Sequence, residues 1–149
     1  MRVYLPAVLD DLDGQVLPGD VAHAVTPELR AALPDEDEEG LEFLAQLAAA
    51  DASLALLAAR TDAPRLRLVV SVDVAESAVA ELDDPGLVPS AVALRTPVRL
   101  ADVVCVHVDE PDARADVAAV LAGDEGAQDR LDERDLLWYD ATELVRIPR

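Results

Sequence analysis

The chain contains no lysine and no asparagine, one cysteine, one isoleucine (Ile147) and only 3% aromatic residues. A lone cysteine, Cys105, closes no internal disulfide, which excludes a disulfide-stapled secreted scaffold. The hydrophobic fraction is 52%, carried largely by alanine and valine, so the core is expected to be close-packed from small side chains. Deep pockets walled by aromatics do not fit that composition. Positive charge is equally scarce. Twelve basic residues, all arginine, face 31 acidic ones for a formal charge of −19. Such a surface repels phosphate backbones and anionic headgroups, so neither nucleic acid nor a membrane is an expected partner. The residue bias fits a GC-rich coding background, and a salt-adapted proteome would share the acidity. Neither explanation names a ligand.

Long apolar runs are missing from the amino terminus. "MRVYLPAVLDDLDG" turns acidic after a stretch too short for a signal core or a spanning helix, so a cytoplasmic location is the default expectation. The 149 residues fit one domain, 1–149. A domain of that size buries roughly two thirds of the surface its unfolded chain exposes.

What is present organises into strands and helices. "RVYLP" reads as a first strand that Pro6 ends, since proline cannot donate to a ladder. A turn region, "DDLDGQVLPGD", leads to a short strand, Val21 to Val25. Thr26 suits an N-cap and Pro27 the first helical position, with Pro34 as the stop. Five acidic residues, Asp35 to Glu39, then suit the positive end of a helix dipole. Phe43, Leu47, Ala50, Leu54 and Leu57 follow at helical spacing and predict the face that packs on a sheet. In "RLRLVVSVDV" the period changes to two, with Leu66, Leu68, Val70, Val72 and Val74 on one side of a central strand. "AVALRTPV" and "ADVVCVHVDE" read as further strands and "PDARADVAAVLAG" as a helix closed by Gly123. "DEGAQDRLDERD" reads as a charged connector before a last strand, "LLWYD". The expected fold is α+β: a mixed, mainly antiparallel sheet of five to six strands with two to three helices mostly on one face, and a ferredoxin-like core as first choice.

Taken together, "RVYLPA", "AVTPELR", the acidic helix opening, "RLADVVCVHVDEP" and "DLLWYDATEL" resemble an uncharacterised family of short actinobacterial proteins that carry a domain of unknown function. The likeness spans most of the chain. It implies a free-standing bacterial cytoplasmic protein and no particular activity, cofactor or site.

Several residues are candidates for chemistry. In "VVCVHVDEP", strand alternation puts Cys105, His107 and Asp109 on one side and Val104, Val106 and Val108 on the other. A thiol, an imidazole and a carboxylate so placed suit nucleophilic chemistry. Against that, the negative field disfavours a thiolate, and free cysteine is among the most buried residue types. Packing is the expected role. His23, in "VAHAV", would complete a metal set with His107 and Cys105 or Asp109 if the two strands were neighbours, although no CxxC, HxxxH or HExxH spacing is present. "LDDLDGQVLPGD" places Asp11, Asp13, Gly14 and Asp20 at calcium-loop positions, but Leu9 stands where the first ligand belongs. Solvated carboxylates in a turn are the expected reading there. The acidic pair Asp83 and Asp84 has no diagnostic value in so acidic a chain, and no glycine-rich phosphate loop or GxSxG occurs. No metal or cofactor is expected.

Trp138 and Tyr139 must point to opposite faces of the last strand. Trp138 is expected in the core with Tyr139 over a strand edge, while an outward aromatic would offer a partner contact. The preferred functional class is a non-enzymatic interaction or regulatory module for a basic protein partner, and an uncovered edge also permits a homodimer. The rival is a small enzyme or metal-binding protein built on Cys105, His107 and Asp109.

Overall fold

The structure is a computed structural model that describes residues 1–82, 84 and 86–149. Its strands are β1 (Arg2–Ala7), β2 (Val21–His23), β3 (Leu68–Asp73), β4 (Val79–Glu81), β5 (Ala91–Leu94), β6 (Val103–Val108) and β7 (Leu137–Asp140). Its α-helices are α1 (Pro27–Ala32), α2 (Glu38–Ala59), α3 (Arg114–Leu121) and α4 (Glu125–Asp132). Short 3-10 turns fill several connections, among them Leu9–Asp13 and Ala141–Arg146.

The seven strands form one open sheet in the order β4-β5-β2-β1-β3-β6-β7, and each paired strand runs antiparallel to its neighbour. The fold is therefore α+β, with an all-antiparallel sheet in place of the mixed one expected, and with more strands and helices than the sequence suggested. The extra strand is β4, three residues long and too short to carry a visible alternation. The extra helix is α4, read above as a connector because half of its residues are charged. Its signals were local: Asp124 caps it by accepting from the Gly126 amide at 3.0 Å, and Ala127 and Leu131 bury one face four residues apart.

The ferredoxin-like expectation is half met. β2 and β3 run parallel on either side of β1, joined through α1 and α2, which makes one split β-α-β unit. A second such unit would be required. β7 instead returns as the direct antiparallel neighbour of β6, so α3 and α4 close a simple return connection.

Local chemistry explains the boundaries. Thr26 accepts from the Leu29 amide at 3.0 Å and Pro27 opens α1, as its sequence requires. Asp37 caps α2 by accepting from the Gly40 amide at 2.8 Å. Pro6 does not end β1. It pairs with Val69 of β3, and on the other side β1 pairs with β2 only at Tyr4 and His23, so the missing N–H forfeits no ladder bond. Gly123, at φ +91°, takes the left-handed conformation that ends α3.

The two sheet faces differ. Strand alternation and register put Tyr4, Val69, Ser71, Cys105, His107 and Trp138 on one face and Val3, Leu5, Leu68, Val70, Val72 and Tyr139 on the other. On the first face α2 buries Leu41, Ala45, Ala49 and Ala50 against Tyr4 and Val69. The second face carries the larger core, closed by Leu9, Leu12 and Leu17 of the N-terminal turn region and by Leu57, Leu66 and Ile147. Expectation and structure disagree about α2: Phe43 is 53% exposed and Leu47 is also exposed. Small alanines let the helix lie close to the sheet, and the larger side chains are turned outward. α2 is long and apolar enough to cross a membrane by length and composition, yet it packs along this sheet. Ser53 ties it down, donating to the Ala7 carbonyl at 2.7 Å and accepting from the Leu68 amide at 3.0 Å.

Candidate functional site

The sequence candidates are only partly brought together. Cys105 is 5% exposed, opposite Ser71 in the ladder. His107 lies one pair further along on the same face, between Val69 and Trp138. A bulge between these strands alters the expected alternation: Val72 pairs with Val103, leaving Val104 as the extra, exposed residue while Val103 is buried. Val104 thus does not join Val106 and Val108 in the core.

Asp109 belongs to a different interaction. Its carboxylate accepts from Arg67 Nε at 2.9 Å, Arg67 Nη2 at 2.8 Å and the Arg67 backbone amide at 2.8 Å, with both residues buried. Those bonds occupy both carboxylate oxygens, so no Cys–His–Asp relay forms. Arg67 was the residue that sequence reasoning missed. An arginine flanked by leucines on the alternating face of a central strand is the signal for a buried counterion nearby.

His23 sits away from this group. β1 and β3 separate β2 from β6, so about three strand spacings, roughly 14 Å, lie between the His23 and Cys105 positions. The condition on which a His23 metal set depended, neighbouring strands, is therefore not met. His23 is buried with Nδ1 at 2.9 Å from Ser90 Oγ, and burial holds its pKa below the usual histidine value. Among the described residues no three His, Cys, Asp or Glu side chains converge as a metal site. The calcium-like loop is a 3-10 turn in which Asp11 is buried, accepts from the Val8 amide at 2.9 Å and pairs with Arg60, while Asp13 pairs with Arg149 at 2.9 Å. Asp11 is therefore structural rather than solvated, whereas Asp13 and Asp20 are exposed to solvent as expected. Asp83 lies outside the described residues.

Around Cys105 the face is polar but closed. Ser71 Oγ and His107 Nδ1 are buried without a hydrogen-bond partner, and burial, helped by the charge of Arg2, lowers the His107 pKa. Burial likewise pushes the Tyr4 phenol up to about 12. Each group is held neutral near pH 7, a state suited to packing.

Open surface lies elsewhere. A cleft of about 880 Å³ beside β4 and α1 has Glu28, Glu76, Glu81 and Asp84 among its walls together with Leu87 and Val88. A separate groove of about 620 Å³ has Leu12, Leu100, Leu144 and Val145 among its walls. Asp84 lines the first and Asp13 and Gly14 the second, but neither contains a residue singled out as a partner contact.

The last strand does. β7 pairs with β6 through Leu137–Val108, Trp138–His107, Tyr139–Val106 and Asp140–Cys105, and no strand lies beyond it among the described residues. The aromatic pair is reversed from expectation: Trp138 is 59% exposed and Tyr139 is half-buried against the main core. The register is the cause. Trp138 shares the face of His107 at the rim of the sheet, whereas α2 packs over β1, β2 and β3. The Asp140 amide donates to Glu143 Oε2 at 3.2 Å and the Asp140 carboxylate accepts from Thr142, which caps the turn after β7.

Fold and surface together define a small, acidic, single-sheet α+β domain with an aromatic on an open edge. A model for a family of unknown function, DUF6912, matches residues 1–147, and the chain belongs to that family. No curated protein and no solved structure matches the chain.

Proposed function

We propose that the protein is a non-enzymatic interaction or regulatory module of the cytoplasm, one that engages a positively charged protein partner at the β7 edge. The observation that supports this reading is Trp138. A chain with 3% aromatic residues leaves its sole tryptophan 59% exposed on a strand whose outer side is open. Exposed tryptophans at such positions are favoured anchors for partners, and a formal charge of −19 favours a basic one.

The test is affinity capture from native lysate with the wild-type chain and with Trp138→Ala, followed by identification of what is retained. A basic protein held reproducibly by the wild type, released by salt and not held by the variant, is the expected result. The same proteins on both columns, or none on either, overturns the reading.

A further inference from the structure

β4 and β7 are the outer strands of the sheet among the described residues, and they are guarded unequally. β4 is three residues long, and very short edge strands are one of the ordinary protections against pairing. β7 is one residue longer and carries a charge only at its end, Asp140: the run Leu137–Trp138–Tyr139 contains no proline, charge or bulge, and Leu137 is exposed beside Trp138. The Asp140 amide bonds to Glu143 rather than into the ladder, and the two-residue alternation then directs the backbone groups of Trp138 toward the open side.

Charge selects the occupant. A second copy of this chain would bring another −19 to the edge, whereas a cationic strand is attracted. On the Trp138 face the next residue along β7 is Asp140, so an arginine placed across from Trp138 has an indole face and a carboxylate within its reach. We infer that β7 is a strand-addition site for an extended, arginine-bearing segment of a partner protein. Its backbone pairs with Trp138, and its arginine covers the indole. This rests on the basic-partner reading above and adds the mode of binding.

The sole tryptophan reports on the site directly. The wild-type chain is titrated with a short blocked peptide alternating arginine and valine, and separately with its glutamate and valine counterpart. Emission is followed together with amide hydrogen exchange. The inference expects a saturable blue shift with the arginine peptide alone, weakened by salt, and exchange at the Trp138 amide slowed by about tenfold or more in the complex. Calorimetric binding of the arginine peptide without slowing at Trp138 overturns strand addition and leaves the basic-partner reading standing. An equal response to the glutamate peptide, or none to either, overturns the charge-selected site. Slowing at Trp138 that grows with protein concentration alone replaces the partner by a second copy and also overturns it.

Discussion

Arg67 and Asp109 form a buried, two-pronged ion pair between the start of β3 and the end of β6, with contacts of 2.9 and 2.8 Å and a further bond from the Arg67 amide. Removing one partner strands the other charge in the interior. Asp109→Ala is expected to lower unfolding free energy by about 3–5 kcal/mol. The double replacement Arg67→Met with Asp109→Leu should recover most of that loss, although the Arg67 amide then lacks its acceptor. Urea denaturation of the two variants beside the wild type tests this, and a double variant as unstable as the single one would contradict it.

Ser53 satisfies two backbone groups at once, the Ala7 carbonyl and the Leu68 amide. Ser53→Ala leaves both buried without a partner and is expected to cost about 1–3 kcal/mol. A drop in melting temperature without change in the folded circular dichroism spectrum is the anticipated signature.

Trp138 and Tyr139 are adjacent but unequal. Exposed Trp138 should tolerate alanine within about 0.5 kcal/mol, while Tyr139→Ala removes contacts to the main core and should cost about 1–2 kcal/mol. Acrylamide, a neutral quencher that the negative surface does not repel, should quench the folded protein nearly as well as the denatured one. Strong protection from acrylamide would show that Trp138 is covered.

Both histidines titrate below their ordinary value because burial disfavours the charged form, with Arg2 adding to the effect at His107. In the unfolded chain they take up protons near pH 6.5, while the folded protein takes them up only at lower pH. The unfolded state therefore binds more protons in that window, and stability falls as pH drops from about 7.5 towards about 5.5. Denaturation midpoints measured across the range should decline, and the slope should flatten in His23→Gln. An unchanged slope in that variant would assign the decline to other groups.

How much of this was legible depended on whether the signal was local. The cap at Thr26, proline at Pro27, the alternation through β3 and the left-handed Gly123 are set by neighbours in sequence, and each appears where the residues place it. Tertiary pairing decided the rest. Pro6 reads as a strand end until the partial pairing of β2 is known, and Phe43 as a core residue until the alanines of α2 meet the sheet. Asp109 looked free to serve His107 because Arg67 is 42 residues away along the chain. Trp138 was placed inside because size favours burial, and only the position of β7 beyond the reach of α2 leaves it outside.

The bulge at Val104 gives β6 a spare link. Loss of this one residue would bring Val103 next to Cys105 while each keeps its present ladder partner, Val72 and Ser71. Loss of Cys105 draws Val104 into its place opposite Ser71 and leaves the rest in register, whereas loss of Val106 or His107 turns the Cys105 thiol toward the valine core. Variation in chain length within β6 should therefore be tolerated at Val104 and Cys105 and refused at Val106 and His107.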